Sequence, residues 1–66
     1  MRIRSTAETE AAGWAGVVGE IRGETKPSDS RVEVLGVSEE DYAINVWSAE
    51  RREQAWFPPH LLEPAD

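Results

Sequence analysis

Apolar and polar positions alternate with a period of two along much of the chain, which is the spacing of half-buried β-strands. In Arg31–Val37, for example, Val32 and Val34 fall on one face while Arg31 and Glu33 fall on the other. Strands are predicted at Met1–Arg4, Gly13–Gly23, Arg31–Val37, Tyr42–Trp47 and Gln54–Phe57. Pro58 ends the last strand because proline cannot donate to a β-ladder.

Polar, turn-forming segments separate these strands. We expect a hairpin loop at Glu24–Ser30, an acidic turn at Ser38–Asp41, a charged turn at Ser48–Glu53 and a tight corner at Pro58–His60. Leu61 and Leu62 supply a last apolar pair beyond that corner.

The segment 5–12 has two interpretations. Ser5 followed by Glu8 fits a capping box, and Gly13 would then end a helical turn. The alternative is a polar loop between strands. We favour the loop, because no apolar stripe gives such a helix a face to bury.

Four glycines lie within the second predicted strand, at 13, 16, 19 and 23. Glycines inside a strand mark bulges and bends, which are the devices that curl a small sheet. With about five short strands in 66 residues, we predict one all-β domain over residues 1–66, with residues 1–12 as a first strand and loop. A small barrel is favoured over packed sheets, because closure removes exposed edges.

Three motifs resemble the Src-homology-3-like (SH3-like) barrels of small bacterial proteins: the Gly-Trp-Ala-Gly-Val-Val-Gly strand at 13–19, Tyr-Ala-Ile-Asn-Val at 42–46, and Trp-Phe-Pro-Pro-His-Leu-Leu-Glu-Pro at 56–64. The resemblance covers residues 13–64. It implies a barrel of about five short strands with a 3-10 turn near Pro58–His60.

The closing segment is also similar to the Phe-Pro-Xaa-Asn-Tyr-Val ending of eukaryotic SH3 domains that bind proline-rich peptides. Phe57-Pro58 matches that ending, and Leu61 stands where that family has its groove tyrosine. The overall layout further resembles small immunity proteins that neutralise bacterial toxins and small SH3-like subunits of electron-transfer complexes. These resemblances indicate the fold more than the function.

The charge distribution bears on the choice of partner. The formal net charge is -6, and residues 27–66 contain three basic and nine acidic side chains. Nucleic acid is disfavoured as a partner, because binding phosphates requires clustered lysine and arginine. No apolar run is long enough for a membrane helix, and the first residues lack the apolar core of a secretion signal, so we expect no membrane partner and a cytoplasmic location.

Catalytic and metal-binding chemistry is weakly represented. His60 is the only histidine and there is no cysteine, which is a poor match to zinc ligand sets. A nucleotide-binding loop requires its glycines directly before a helix, whereas the glycines at 13–23 lie in a predicted strand. We therefore predict no cofactor, no metal and no enzymatic activity.

Three tryptophans in so short a chain are the strongest functional signal, because one small core cannot bury all of them. Trp14 and Trp56 lie beside glycine or proline turns, where a large ring can plug a barrel, and core placement is favoured for both. Trp47 lies opposite the Tyr42/Ile44/Val46 face and, if that face is the core, is exposed with Asn45 beside it. Exposed tryptophan is enriched at binding hot spots. A register slip of one residue would give this role to Tyr42.

The predicted partner-binding residues comprise an aromatic surface with acidic flanks. They are Tyr42, Trp47, Trp56, Phe57, Pro59, Glu39, Glu40 and Asp41. The acidic run is either a solvated turn or a patch that steers a basic partner. The predicted function is a non-catalytic protein–protein interaction module. The alternatives are an accessory subunit of a larger enzyme or electron-transfer complex, or an immunity-type inhibitor. An exposed aromatic patch would also fit a homodimer.

Overall fold

The computed structural model describes residues 1–36 and 40–65. Its elements in chain order are β1 (Arg2–Ile3), α1 (Ala7–Ala12), β2 (Glu20–Thr25), α2 (Pro27–Ser30), β3 (Ala43–Ser48), β4 (Glu53–Phe57), a 3-10 helix (Pro59–Leu61) and β5 (Leu62–Glu63). The strand-rich architecture confirms the predicted class in outline. The 3-10 helix begins one residue into the predicted Pro58–His60 corner.

The strands form two antiparallel sheets, one of order β2-β3-β4 and one of order β1-β5. The chain just before β2 connects them: Val18 forms a bridge with Arg2 of β1, and the Ile3 amide donates to the Val17 carbonyl at 2.9 Å. Within residues 1–36 and 40–65 the ladders do not close into a barrel.

The core lies between the β2-β3-β4 sheet and the segment around β1 and β5. Its buried side chains are Ile3, Trp14, Val46, Phe57, Leu61 and Leu62. The Trp14 ring meets the Phe57 ring edge-on at 5.3 Å, and the Arg51 guanidinium lies 4.3 Å from the Trp14 ring centroid. The predicted core position of Trp14 is therefore confirmed.

The loop interpretation of residues 5–12 is wrong, because α1 forms there. Its N-cap is Thr6 and not Ser5, and Thr6 and Thr9 form a reciprocal capping box. The buried Thr9 hydroxyl also donates to the Arg4 carbonyl at 2.6 Å. A capped, buried threonine thus anchors this short helix in place of an apolar stripe. Gly13, in the left-handed region at φ 78°, ends it as the helical alternative requires.

The predicted strand at 13–23 starts later than expected. Trp14 and Gly16 lie in tight turns, with Gly16 at φ 76°, and the regular strand begins only at Glu20. The pairing of β2 with β3 shifts register between Ile21 and Gly23. The expected bending is thus present, divided between the turns and one bulge.

The predicted strand at 31–37 is absent from the part of it that the structure describes, residues 31–36. Val34 forms one isolated parallel bridge with Trp56, and no ladder extends from it. The predicted alternation of burial is nevertheless present, with Val32 and Val34 half-buried and Arg31 and Glu33 exposed. The predicted loop at 24–30 instead contains the end of β2 and the single turn α2.

Candidate functional site

Two tryptophans lie on the same face of the β2-β3-β4 sheet. In the β3–β4 ladder Trp56 pairs with Asn45, and Trp47 pairs with Gln54. Directly opposed residues of antiparallel strands share a face, so these four side chains lie together. The neighbouring Val46 is fully buried in the core, and alternation therefore places this group on the sheet's other side. We call Asn45, Trp47, Gln54 and Trp56 the tryptophan face.

Trp47 is half-buried and already contacts a cation. The Arg22 guanidinium lies 5.6 Å from the centroid of the Trp47 ring, within the range of a cation–π interaction. Arg22 also pairs with Glu20 at 3.0 Å, and both side chains are more than half exposed. The contact leaves the ring on an accessible surface beside one positive and one negative charge.

Asn45 is buried, contrary to the expectation that it lies in solvent beside Trp47. Only 5% of the residue is exposed. Its side-chain amide forms no hydrogen bond with any of residues 1–36 and 40–65. In those same residues, every side-chain polar atom that is completely buried has a hydrogen-bond partner. By strand alternation the Asn45 side chain lies on the same face as Trp47, as the nearly buried floor of the tryptophan face.

β2 leaves the space beside Asn45 open. Gly23 pairs with Asn45 across the β2–β3 ladder, and a Cβ atom built on Gly23 would have nothing within 4 Å. The row Gly23–Asn45–Trp56 therefore has a side-chain gap at one end and a large ring at the other. The gap at Gly23 has room for a side chain of a partner.

Trp56 also lines a groove of about 530 Å³ at the outer edge of β4. The groove lies between β4 and the segment 32–35, which meets β4 through the Leu35 amide donating to the Trp56 carbonyl at 2.8 Å. Its lining residues are Val32, Glu33, Val34, Leu35, Gln54, Ala55 and Trp56. The tryptophan face and this groove are thus adjacent and share Gln54 and Trp56.

The remaining predicted aromatic and proline residues do not join the tryptophan face. The expectation that Phe57 extends an exposed surface is wrong: Phe57 is fully buried, because it faces the core opposite Ile44. Pro59 is half-buried and begins the 3-10 helix. Tyr42 precedes β3 on the Ile44 side by alternation, and its hydroxyl donates to Glu24, which raises the Tyr42 pKa.

The acidic flank is only partly within the described chain. Glu40 and Asp41 are exposed, whereas Glu39 lies outside the described residues. The Asp41 carboxylate accepts hydrogen bonds from the Ser28 hydroxyl at 2.5 Å and the Ser28 amide at 3.0 Å. These bonds stabilise the ionised form and lower the Asp41 pKa. Asp41 therefore ties the acidic turn to α2.

The described part of the chain contains no cluster of metal-binding side chains. Among residues 1–36 and 40–65, no group of three or more histidine, cysteine, aspartate or glutamate side chains is placed to hold a metal ion. His60 is exposed in the 3-10 helix.

Comparisons with protein-family models, with curated proteins and with solved structures find no match to this chain. In the same described ranges, no helix combines the length and the apolar character needed to cross a bilayer.

The sequence predicts both tryptophans as partner-binding residues, but the core position that it favours for Trp56 is wrong, because Trp56 is half-buried on the sheet face opposite the core. It assigns no binding role to Asn45, Gln54 or Gly23. A signal for Asn45 exists in the sequence, since it is the one amide inside the apolar run 42–47. Gln54 and Gly23 become recognisable only when the strand register is known, because their role depends on the residue opposite them.

Proposed function

We propose that this chain is a non-catalytic protein–protein interaction module that binds its partner through the tryptophan face. The observation that carries the proposal is the pair Trp47 and Trp56, which are half-buried on one face of the sheet with Asn45 on the same face, opposite Trp56. Half-buried rings are held by the fold while still offering apolar area, as binding hot spots do.

The chemistry of this face favours an extended peptide segment of the partner. The Gln54 amide, which is exposed on this face, both donates and accepts, so it can bond to a backbone N–H and C=O. The flanking indole rings supply flat apolar contact for side chains on either side. The groove beside Trp56 offers room for the continuation of the same segment.

An SH3-like arrangement is part of the proposal. It is supported by a three-stranded antiparallel sheet, by a chain that pairs first with β1 and then with β3, and by a 3-10 helix before the last strand. A cytoplasmic location stays a prediction of the sequence.

The charge of the chain favours a basic partner surface. The exposed carboxylates Glu20, Glu24, Glu40 and Asp41 border the strands that carry the face, within a net charge of -6. Complementary charge accelerates association and is screened by salt. This feature also suits the alternative function of an immunity-type inhibitor that covers a basic site.

The test is affinity capture from native lysate with the wild type, Trp47→Ala and Trp56→Ala, followed by calorimetric titration of the purified partner. We expect both substitutions to weaken binding by about tenfold or more, since hot-spot truncations cost at least about 2 kcal/mol. Val18→Ala is the control, because Val18 is an exposed apolar residue outside the face. All three variants should keep the wild-type far-ultraviolet circular dichroism.

Two outcomes distinguish the alternatives. A partner that stays bound in one-to-one ratio through high salt would indicate an accessory subunit and not a reversible module. A partner whose affinity is unchanged in both tryptophan variants would contradict the proposed surface.

A further inference from the structure

Glu20, Arg22 and Trp47 form a cluster that borders the tryptophan face. Glu20 lies opposite Trp47 in the β2–β3 ladder, so these two side chains share a face of the sheet. The Arg22 guanidinium lies 5.6 Å from the centroid of the Trp47 ring and 3.0 Å from a carboxylate oxygen of Glu20. An indole ring and a carboxylate thus hold one guanidinium together. We call Glu20 and Trp47 the cation site.

A second guanidinium–indole contact in the chain shows the opposite situation. Arg51 lies over the Trp14 ring, bonds to the Gly13 carbonyl and donates to the Glu53 carboxylate at 2.6 Å. Trp14 is buried in the core, so no ligand reaches its ring. The Arg22 side chain, by contrast, is 52% exposed. Within residues 1–36 and 40–65 it forms no further hydrogen bond, ion pair or ring contact.

Arg22 is also the bulge residue of β2. The register shift between Ile21 and Gly23 leaves Arg22 with no residue opposite it on β3. The extra residue of a bulge takes no part in the cross-strand pairing. Its side chain is therefore not fixed by a cross-strand neighbour, and two exposed contacts hold it over the ring. Displacing it opens no buried contact.

We propose that the cation site receives an arginine side chain of the partner, whose guanidinium takes the place of the Arg22 guanidinium. This inference rests on the proposed function, because its partner is the protein that binds the tryptophan face. Charge complementarity selects the occupant. The π face of Trp47 and the carboxylate of Glu20 both attract a cation, and the chain around them has a net charge of -6. Arg22 is then an internal stand-in for the partner's side chain.

Competition between the two guanidinium groups has a measurable consequence. The partner's arginine must displace Arg22, so removing Arg22 should tighten binding. The gain is about threefold, which corresponds to the loss of one exposed cation–π contact within the chain. If Arg22 only stabilised the sheet, its removal would create no site for an external cation.

The first test uses the probe N-acetylarginine N-methylamide and needs no partner. The probe is titrated into the ¹⁵N-labelled chain while the Trp47 indole N–H resonance is followed. We expect saturable binding that is about threefold tighter in Arg22→Ala than in the wild type. Arg52→Ala, which removes the same charge from an exposed turn residue, should leave the affinity unchanged. The citrulline analogue of the probe, which lacks the charge, should not bind.

A further variant isolates the carboxylate. In the Arg22→Ala background, Glu20→Gln should weaken probe binding by about threefold or more, because a charge-assisted contact is lost. Glu10→Gln, which removes an exposed carboxylate on α1, should not. The proposal is overturned if Arg22→Ala binds the probe no more tightly than Arg52→Ala does. Equal weakening by Glu20→Gln and Glu10→Gln would also overturn it, because the net charge alone would then attract the probe.

The second test uses the purified partner and calorimetric titration. Arg22→Ala should tighten partner binding about threefold, and adding Glu20→Gln should reverse the gain. If Trp47→Ala and Trp56→Ala weaken the partner while Arg22→Ala leaves its affinity unchanged, the proposed function stands and this inference fails. If the tryptophan variants also leave the affinity unchanged, the proposed function fails with it.

Discussion

Gly19 and Gly23 lie four residues apart on the same stretch of chain but differ in their surroundings. A Cβ atom on Gly19 would lie 2.5 Å from a methyl group of Val46 and 2.7 Å from the Trp47 carbonyl oxygen. The same atom on Gly23 would meet nothing within 4 Å. Only Gly19 is therefore required by the close approach of β3.

This difference predicts opposite effects of the same substitution. Gly19→Ala should lower the free energy of unfolding by about 1–3 kcal/mol, as overpacking does. Gly23→Ala should leave it unchanged or raise it by less than about 1 kcal/mol, because alanine restricts the unfolded chain. Urea unfolding of the two variants checks this. Equal destabilisation by both would contradict the β2–β3 packing.

Tyr42 offers a second measurement at this scale, because it is the only tyrosine. Its hydroxyl donates to the Glu24 carboxylate, and deprotonation would place two negative charges together, so its pKa is raised. Glu24→Gln should move the pKa down toward 10.0, the ordinary value for tyrosine. Ultraviolet absorbance of tyrosinate follows the titration. Glu40→Gln is the control, and an equal decrease in that variant would contradict the specific bond.

Residue placement was predictable where one face of a strand is apolar. The core position of Val46 and the opposite position of Trp47 follow from alternation in 42–47. The burial of Phe57 and Asn45 did not follow, because it depends on what packs across the sheet. Phe57 meets Trp14, a residue far away in sequence, and no local pattern indicates that contact.

Helix α1 shows how a polar segment becomes ordered. The Thr6 side chain accepts from the Thr9 amide at 3.2 Å, and the Thr6 amide donates back to the Thr9 hydroxyl at 2.8 Å. The sequence offers a cap at Ser5 and Glu8 but favours a loop, because the tertiary anchor is not visible in it. That anchor is the Thr9 hydroxyl, which donates to the Arg4 carbonyl.

The cap position predicts which hydroxyl matters. Thr6→Ala should reduce the free energy of unfolding by about 1 kcal/mol, the usual loss for an N-cap. Ser5→Ala, one residue earlier and exposed, should change it by less than about 0.5 kcal/mol. Thermal unfolding of both variants at equal concentration checks this. A larger loss in Ser5→Ala would contradict the capping geometry.

The sequence predicts β3 and β4 more accurately than the segment 31–36, and the reason is physical. β3 and β4 combine alternation with β-branched and aromatic residues, and the structure has them within one residue of the expected bounds. The segment 31–36 has the same alternation but meets β4 only at the Val34–Trp56 bridge. Alternation reports a half-buried face, not the presence of a pairing partner.

At the scale of the whole molecule, the excess of negative charge should control association. If a basic partner docks on the tryptophan face, its association rate should decrease about tenfold or more between low and physiological salt, as screening shortens the range of attraction. Dissociation should change far less. Stopped-flow tryptophan fluorescence measures both rates. A salt-independent association rate would contradict steering while leaving the apolar contact in place.

The central claim, that the partner binds the tryptophan face, is tested most directly by the three indole N–H resonances. Trp47 and Trp56 lie on that face, whereas Trp14 is buried against Phe57 and serves as the internal reference. Titration of the ¹⁵N-labelled chain with purified partner should shift or broaden the Trp47 and Trp56 indole signals and the Asn45 side-chain amide, and leave Trp14 unchanged. Saturable binding that leaves the Trp47, Trp56 and Asn45 signals in place would contradict the account.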